Sequence, residues 1–328
     1  MVIASLPDRH WARRTWLSMA LWPLSVLYCL FVRLHRQFLR ASAVHLPVPV
    51  VTIGNLTVGG NGKTPLVAWV AALFAGHGYR PGVVARGYGG WAQHWPQRVT
   101  PTSDPAEVGD EPVLLARRGF PVVVGPDRVA AAKVLIDQCD CNVIVSDDGL
   151  QHWRLHRDVE VVVIDGVRRF GNGFCLPAGP LREPVRRLET IDARVVQGGV
   201  ARSDEWSMRL TGTEFVNVAY PERIRHVADF SEPTIHAVAG IGNPQRFFDD
   251  LRAAGFDPHP HMFPDHHPFT AEDFKFVGRE AAVIMTEKDA VKCERFACDN
   301  FWFRRVAAEP EPGFGPLLLG LLKGVRNG

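Results

Sequence analysis

Between Val48 and Ala72, a strand pattern, a glycine-rich loop and a helix pattern follow one another. This stretch constrains the fold more than any other. It opens with a β-branched apolar run, and an apolar segment with helical spacing follows the loop, which ends in Gly62-Lys63-Thr64. Backbone N–H groups of such a loop can converge on phosphate oxygens, and the helix that follows adds its positive dipole end. The stretch therefore predicts a phosphate-binding loop after a buried strand.

The loop carries the residues that we expect to contact a nucleotide, and Lys63 and Thr64 have specific expected tasks. Lys63 can reach the β- and γ-phosphates, and the Thr64 hydroxyl can bind Mg²⁺. Thr57 stands where G-x-x-x-x-G-K-[ST] has its first glycine, so the loop is more similar to the double-glycine loops of some P-loop ATPases. A chance Gly-Lys-Thr in a turn is the alternative, which the flanking strand and helix patterns disfavour. The predicted contacts are Thr57, Val58, Gly59, Gly60, Asn61, Gly62, Lys63 and Thr64.

Composition narrows the class of protein. A chain of 328 residues can bury a sizeable core and is long enough for two domains. With 37 basic and 35 acidic residues, the net charge of +2 indicates no general nucleic-acid-binding surface. The six cysteines are scattered without a C-x-x-C pair, which favours free thiols in a reducing cytosol over zinc or disulfides. No pattern indicates a protein partner.

The first 45 residues differ in character from the rest. An uncharged run from Thr15 to Val32 has arginines on both sides and tryptophans near its start. A cleaved signal peptide is disfavoured because no small-residue cleavage site follows the run. A transmembrane helix would be barely long enough, and Pro23 weakens it further. We expect a helix lying in the membrane interface, with an ordinary packed helix as the alternative.

Polar residues follow several predicted strands, where parallel sheets place their ligands. Arg86 stands on a glycine-rich loop after one strand, and Asp147 and Asp148 end another. P-loop enzymes use acidic residues at such a strand end to hold Mg²⁺, directly or through water. Asp110 and Glu111 open a helix pattern, where two carboxylates alone are often only caps. The alternation of strands and helices predicts an α/β fold with a doubly wound, mostly parallel sheet.

A second, smaller α/β unit is predicted in the carboxyl-terminal part. A strand-loop-helix pattern begins at Ile235, and a strand at 282–285 precedes Thr286-Glu287-Lys288-Asp289. We therefore expect a membrane-interface helical segment at 1–45, a P-loop core at 46–232 and a smaller α/β lobe at 233–328. The histidines between 259 and 267 lack clear zinc-ligand spacing.

Six motifs occur in an order that resembles one family, the tetraacyldisaccharide 4′-kinases, or lipid A 4′-kinases, of Gram-negative bacteria. The resemblance spans nearly the full chain. It implies a P-loop NTPase-type α/β/α core with a smaller C-terminal lobe, and transfer of the ATP γ-phosphate to the 4′-hydroxyl of tetraacyldisaccharide 1-phosphate, giving lipid IVA. It also implies Mg²⁺ and work at the cytoplasmic face of the bacterial inner membrane, with the protein peripheral or monotopic through its N-terminal helix. The motifs are residues 55–65, 86–89, 109–112, 146–152, 181–184 and 285–292.

The resemblance also implies roles for individual residues. Asp110 matches the proposed catalytic base, and His266 resembles the histidine that assists it, with the adjacent His267 as an alternative. Lys63 is the third implied catalytic residue. The implied metal site consists of Thr64, Glu111, Asp147 and Asp148. The implied contacts to substrate or phosphate are Arg86, Arg128, Gln151, His152 and Arg182.

Two other classes of function stay open at this point. A P-loop GTPase or ATPase acting as a switch or metallochaperone is the main alternative. Residues 286–289 imitate a guanine-recognition segment with Glu in place of Asn, but the same segment belongs to the kinase pattern. The other alternative is a membrane-associated protein that binds nucleotide without turnover, and the intact set of Asp110, Asp148 and His266 argues against it.

Overall fold

The structure is a computed structural model that describes residues 10–59, 62–92, 94–278 and 280–326. Within this part of the chain, the strands are β1 (Val50–Gly54), β2 (Pro81–Ala85), β3 (Gln97–Val99), β4 (Val122–Val124), β5 (Val143–Asp147), β6 (Val159–Asp165), β7 (Ala193–Gln197), β8 (Trp206–Thr211), β9 (Phe215–Asn217), β10 (Ile224–Arg225), β11 (Thr234–Ala239), β12 (His259–Met262), β13 (Ala281–Thr286), β14 (Phe301–Arg304) and β15 (Ala307–Pro310). The α-helices are α1 (Trp16–Ala41), α2 (Lys63–Gly76), α3 (Pro105–Val108), α4 (Asp110–Arg117), α5 (Arg128–Cys139), α6 (Pro244–Ala253), α7 (Glu287–Cys293) and α8 (Phe314–Arg326). Short 3₁₀ segments lie at Val185–Thr190, Val227–Asp229 and Ala271–Phe274.

The larger sheet confirms the predicted doubly wound arrangement. Its strand order is β15-β8-β7-β6-β1-β5-β2-β4-β3, and only the outermost pairs, β15 with β8 and β3 with β4, are antiparallel among the described residues. β1 lies between β5 and β6 and pairs in parallel with both. The chain therefore moves outwards in both directions from β1, and the loops after β1 and β5 lie side by side at the carboxyl edge of the sheet.

Helices cover both faces of this sheet because its central strands are apolar on both sides. Every residue of β1, β5 and β6 is buried. Leu66 and Phe74 of α2 pack on one face, and Val129 and Leu135 of α5 pack on the other. Full burial of each such side chain contributes about 1.5–3 kcal/mol to folding. The packing fixes the start of α2, and with it the phosphate-binding loop, against the end of β1.

A smaller sheet forms a second lobe. Its strand order is β10-β9-β14-β13-β11-β12. We call the elements of the nine-stranded sheet the large lobe and those of the six-stranded sheet the small lobe. The sheets interleave along the chain, because β9 and β10 precede residue 233 but lie in the small lobe, while β15 follows it and lies in the large lobe. The domain bounds at 45, 232 and 328 stay a prediction.

Helix α1 presents most of its apolar surface outwards. Thr15 caps it, accepting a hydrogen bond from the Ser18 N–H (3.3 Å). The small polar residue Ser25 faces the protein and donates to the Cys175 carbonyl (2.8 Å), whereas Trp16, Phe31 and Phe38 are 79%, 65% and 75% exposed. By length and composition, α1 could cross a membrane. Such an uncovered apolar helix is consistent with membrane association.

Candidate functional site

The phosphate-binding loop is held between β1 and a loop from later in the chain. Gly62 adopts a left-handed conformation (φ 71°), which places Lys63 as the first residue of α2. The Lys63 Nζ donates to Asn55 Oδ1 (3.2 Å) and lies 3.4 Å from Asp148 Oδ1. The Val58 N–H donates to the Pro180 carbonyl (2.8 Å). Of the predicted contacts, Gly60 and Asn61 lie outside the described residues, and the other six lie in and next to this loop.

Asp147, at the end of β5, is the residue best suited to a metal ion. Its side chain is buried, and its Oδ1 atom has no hydrogen-bond partner. Burial and the neighbouring charges of Glu111 and Asp148 raise the pKa of Asp147. A divalent cation would give Oδ1 a partner and would offset the negative charges of these carboxylates, so the residues present fit Mg²⁺.

Thr64 and Glu111 line a cavity beside Lys63, and the charge of Glu111 acts on Asp147. The described residues contain no group of three or more His, Cys, Asp or Glu side chains arranged to hold a metal by themselves. Magnesium usually takes one or two carboxylates and completes its shell with water and substrate phosphate. The arrangement therefore suits an ion that arrives with a nucleotide.

Asp148 is engaged differently from Asp147. The Arg182 guanidinium donates to Asp148 Oδ2 (3.0 Å) and to Gln151 Oε1 (3.3 Å), and the Gln151 amide donates to Glu183 Oε1 (2.8 Å). Burial opposes ionisation of Asp148, but Lys63 and Arg182 outweigh it and lower its pKa. Asp148 therefore stays a carboxylate that orders two cations next to the phosphate-binding loop.

A carboxylate and an imidazole meet across the two lobes. Asp110 is the first residue of α4 in the large lobe, and its Oδ2 lies 3.2 Å from His266 Nδ1 of the small lobe. His266 has a positive φ of 59°, and its N–H donates to the Gly240 carbonyl (3.2 Å). The neighbouring His267 instead lies 3.2 Å from Asp273 Oδ2. Of the two histidines considered from the sequence, the structure thus brings His266 to Asp110.

The electrostatics of this pair favour ionised Asp110. Burial opposes its negative charge, but the hydrogen bond with His266 and the nearby Lys288 and Lys292 outweigh burial, so the pKa of Asp110 lies below its usual value. The same hydrogen bond outweighs burial and the charge of Lys288, so the pKa of His266 lies above its usual value. A buried carboxylate that remains ionised can accept a proton.

Arg128 and His152 lie next to each other near the end of β5, and the charge of Arg86 acts on Arg128. The buried Arg128 donates to the Asp147 carbonyl (2.9 Å), and burial lowers its pKa to about 10. His152 Nε2 lies 3.2 Å from the Pro126 carbonyl, and burial lowers its pKa. Arg86 is exposed. Contact of these three residues with substrate or phosphate stays a prediction, and the described contacts of Arg128 support the backbone behind Asp147.

A cavity of about 200 Å³ opens between the lobes beside Lys63. Its lining includes Lys63, Thr64, Glu111, Arg246, Thr286 and Lys288. Sequence reasoning selected only the first three of these as site residues. The segment at 285–292 was visible as a motif, but the contacts of its side chains depend on how the lobes meet. For that reason Lys292 Nζ lies 3.8 Å from Asp110 Oδ2, and Lys288 Nζ lies 3.5 Å from Glu111 Oε1.

Comparisons with known proteins show which family this chain is similar to. A family model described as tetraacyldisaccharide-1-P 4′-kinase matches residues 17–323. A tetraacyldisaccharide 4′-kinase of Nitrosococcus oceani is 50% identical over 332 residues, covering 98% of this chain and 95% of that protein. One of Alkalilimnicola ehrlichii is 51% identical over 316 residues, covering 92% of each. A crystal structure of "apo" form LpxK from Aquifex aeolicus in complex with ATP superposes with a TM-score of 0.75 at 24% identity, covering 93% of this chain and 99% of that one, which supports the fold.

Proposed function

Because the chain belongs to the tetraacyldisaccharide-1-P 4′-kinase family, we propose that Asp110, assisted by His266, is the base of its phosphoryl transfer. The enzyme transfers the γ-phosphate of ATP, with Mg²⁺, to the 4′-hydroxyl of tetraacyldisaccharide 1-phosphate in lipid A synthesis. This assignment sets aside the switch, metallochaperone and non-catalytic binding alternatives. The observation that carries the proposal is the pairing of Asp110 with His266 beside the cavity that contains Lys63.

The base has a clear physical task. A sugar hydroxyl is a weak nucleophile at neutral pH, and a carboxylate within hydrogen-bond reach can accept its proton as the oxygen attacks phosphorus. Asp110 stays ionised although it is only 4% exposed, and His266 holds one of its oxygens. A positioned base of this kind accelerates a reaction by roughly 10²–10⁴-fold.

The remaining residues bind and neutralise the phosphates. Lys63 is placed to pair with the β- and γ-phosphates. Arg182 lies close to Lys63 because both side chains pair with Asp148. Thr64, Glu111 and Asp147 would hold Mg²⁺, which supplies charge neutralisation at the transferred group when it is bound. Arg86, Arg128, Gln151 and His152 remain proposed contacts to substrate or phosphate.

We also propose that the enzyme works at the cytoplasmic face of the inner membrane, with α1 lying in that surface. The lipid substrate resides in a membrane, and α1 exposes tryptophan, leucine and phenylalanine side chains on its outer side. The inner side of α1 packs on the loop of the active-site Arg182, whose carbonyl accepts a hydrogen bond from the Tyr28 hydroxyl (3.1 Å). Docking of α1 would therefore bring the site to the lipid surface.

A direct assay tests the assigned roles. The purified protein is incubated with γ-labelled ATP, Mg²⁺ and tetraacyldisaccharide 1-phosphate in mixed micelles, beside Asp110→Asn and Lys63→Met. We expect label in the lipid with the unchanged protein, a strong loss with both variants, and retained ATP binding by Asp110→Asn. Equal labelling by Asp110→Asn would remove Asp110 from its proposed role.

A further inference from the structure

Lys288 contacts residues of both lobes and has no role in the phosphoryl transfer described so far. Its side chain is only 16% exposed at the start of α7. The Lys288 Nζ lies 3.2 Å from His266 Nε2, 3.3 Å from Asp265 Oδ1 and 3.5 Å from Glu111 Oε1. Glu111 belongs to the large lobe and the other two residues to the small lobe, so carboxylates from both lobes hold the ammonium against the imidazole.

The contact between Lys288 and His266 determines which ring nitrogen of His266 carries a proton. A lysine ammonium has three donors and no acceptor. His266 Nε2 must therefore present a lone pair to Lys288, and the ring proton of the neutral imidazole must be on Nδ1. Nδ1 faces Asp110 Oδ2 at 3.2 Å, and an ionised carboxylate only accepts. In this arrangement Lys288 donates to His266 Nε2, and His266 Nδ1–H donates to Asp110 Oδ2.

The other protonation states fit these distances poorly. An imidazolium, which the hydrogen bond with Asp110 favours, would place an Nε2–H against the Lys288 ammonium, donor against donor, and Lys288 opposes it. The neutral Nε2–H tautomer would have the same conflict and would also turn the Nδ1 lone pair towards the Asp110 carboxylate. The carboxylates of Asp265 and Glu111, 3.3 Å and 3.5 Å from Lys288 Nζ, hold the lysine as an ammonium, which has only donors. The geometry therefore selects one tautomer.

We propose that Lys288 is a positioning residue that holds His266 in the Nδ1–H tautomer, so that His266 donates to Asp110 and orients it towards the acceptor hydroxyl. This inference rests on the proposed role of Asp110 as the base. It also divides the work of the pair: Asp110 accepts the proton, and His266 fixes the carboxylate, because Nδ1 already bears a proton and Nε2 is occupied by Lys288.

The tautomer can be read without turnover. The full-length protein is labelled with ¹⁵N-histidine, and His266 is assigned by the loss of its signals in His266→Gln. We expect a pyrrole-type Nδ1 and a pyridine-type Nε2 in the unchanged protein. Lys288→Met should shift His266 towards the other tautomer or a mixture, whereas Lys288→Arg and Lys288→Gln, which keep a donor, should retain the Nδ1–H form. Lys275→Met, at an exposed lysine of the same lobe, is the control.

Kinetics separate positioning from phosphate binding. We expect Lys288→Met to lower kcat about 10- to 100-fold, part of the benefit of a positioned base, with the KM values for ATP and lipid little changed. Lys288→Arg should recover most of the rate. An unchanged tautomer in Lys288→Met, or a raised KM for ATP at unchanged kcat, would overturn the proposal. If Lys288→Met does not fold, the proposal would be overturned by loss of the Nδ1–H tautomer in both Lys288→Arg and Lys288→Gln.

Separate measurements test the role of Lys288 and the role of Asp110. An unchanged tautomer in Lys288→Met would leave the role of Asp110 intact, because that role is tested by Asp110→Asn in the labelling assay. Full activity of Asp110→Asn would remove the base, while the tautomer of His266 would still report on Lys288.

Discussion

His266 Nδ1 lies 3.2 Å from Asp110 Oδ2 although 156 positions separate the two residues in the chain. Asp110 begins a helix of the large lobe, and His266 lies on a loop of the small lobe. The pair therefore exists only when the lobes are apposed. This relationship ties the proposed base to the same interlobe cavity that Lys63 and Thr64 line.

The pH dependence of the reaction should respond to His266. Burial opposes the charge of Asp110, but the hydrogen bond with His266 helps to hold the pKa of Asp110 below its usual value. His266→Gln weakens that help, so the pKa of Asp110 should rise and the acidic limb of kcat/KM should move to higher pH. The measurement is kcat/KM across acidic and neutral pH, and an unmoved acidic limb would contradict the pairing.

The same substitution should change stability with a defined sign. A carboxyl whose pKa is lowered by folding contributes stability that is present above its unfolded-state pKa and is lost as the pH falls through the folded-state pKa. The pKa of His266 is raised, so its contribution falls as the pH rises through its folded-state pKa. His266→Gln should therefore lose most stability at mildly acidic pH, and the difference should shrink as the pH falls through the folded-state pKa of Asp110. Thermal unfolding midpoints at several pH values measure it.

Asp147→Asn should separate Mg²⁺ binding from folding. Burial, Glu111 and Asp148 raise the pKa of Asp147. A raised carboxyl pKa costs stability as the pH rises from the unfolded-state towards the folded-state pKa, so at neutral pH the variant should unfold at a higher temperature than the parent without Mg²⁺. It should lose activity and the extra stabilisation that Mg²⁺ with ATP gives the parent.

The matched control for this substitution is Asp137→Asn on the exposed side of α5, which should change neither quantity. Thermal unfolding with and without Mg²⁺ and ATP measures both effects. Equal stabilisation of Asp147→Asn and the parent by Mg²⁺ with ATP would argue that Asp147 does not hold the metal.

Membrane binding should depend on the outer side of α1. Leu27 and Phe31 are 62% and 65% exposed and lie one helical turn apart. Burial of each such side chain in the interface contributes about 1.5–3 kcal/mol, so Leu27→Glu with Phe31→Glu should weaken vesicle binding by at least tenfold. Co-sedimentation with anionic phospholipid vesicles measures this, with Val200→Glu, at an 85% exposed loop valine, as the control. Undiminished co-sedimentation of the α1 variant would exclude this docking surface.

A buried ion cluster of Glu160, Arg157 and Arg187 should contribute to the free energy of unfolding. Glu160 lies 2.6 Å from the Arg187 guanidinium and 3.1 Å from Arg157 Nε, and all three side chains are under 8% exposed. Glu160→Gln leaves the buried Arg157 without its carboxylate and Arg187 with only Glu183, whose Oε2 lies 3.5 Å from Arg187 Nε, which should cost about 3–5 kcal/mol of unfolding free energy. Asp249→Asn, in an exposed pair with Arg252, should cost less than about 1 kcal/mol. Denaturant unfolding compares them, and equal costs would refute the argument.

Local pattern was enough to predict much of the large lobe. The β-branched run before the loop became β1, and the strand that ends in Asp147 became β5, because residues buried on both faces must be apolar throughout. Asp147 and Asp148 were selected because acidic residues at the end of a strand beside a P-loop have few structural explanations, whereas Asp110 and Glu111 were selected through the family resemblance, since carboxylates at a helix start are often only caps.

What the sequence left open depends on contacts between distant segments. Strand β15 pairs with β8 across the chain segment that builds the small lobe, and no local pattern encodes that return. Lys288 was visible only as a member of the motif at 285–292, because its contact with His266 requires the two lobes to meet. The choice between His266 and His267 needed the backbone conformation of that turn.

The most direct test of the proposed base is a double-mutant cycle of Asp110→Asn and His266→Gln, read as kcat for lipid phosphorylation. If the two residues act as one unit, the single variants should each lose activity and the double variant should lose little more than Asp110→Asn alone. Losses that multiply, so that the double variant equals the product of the singles, would contradict a shared role for Asp110 and His266.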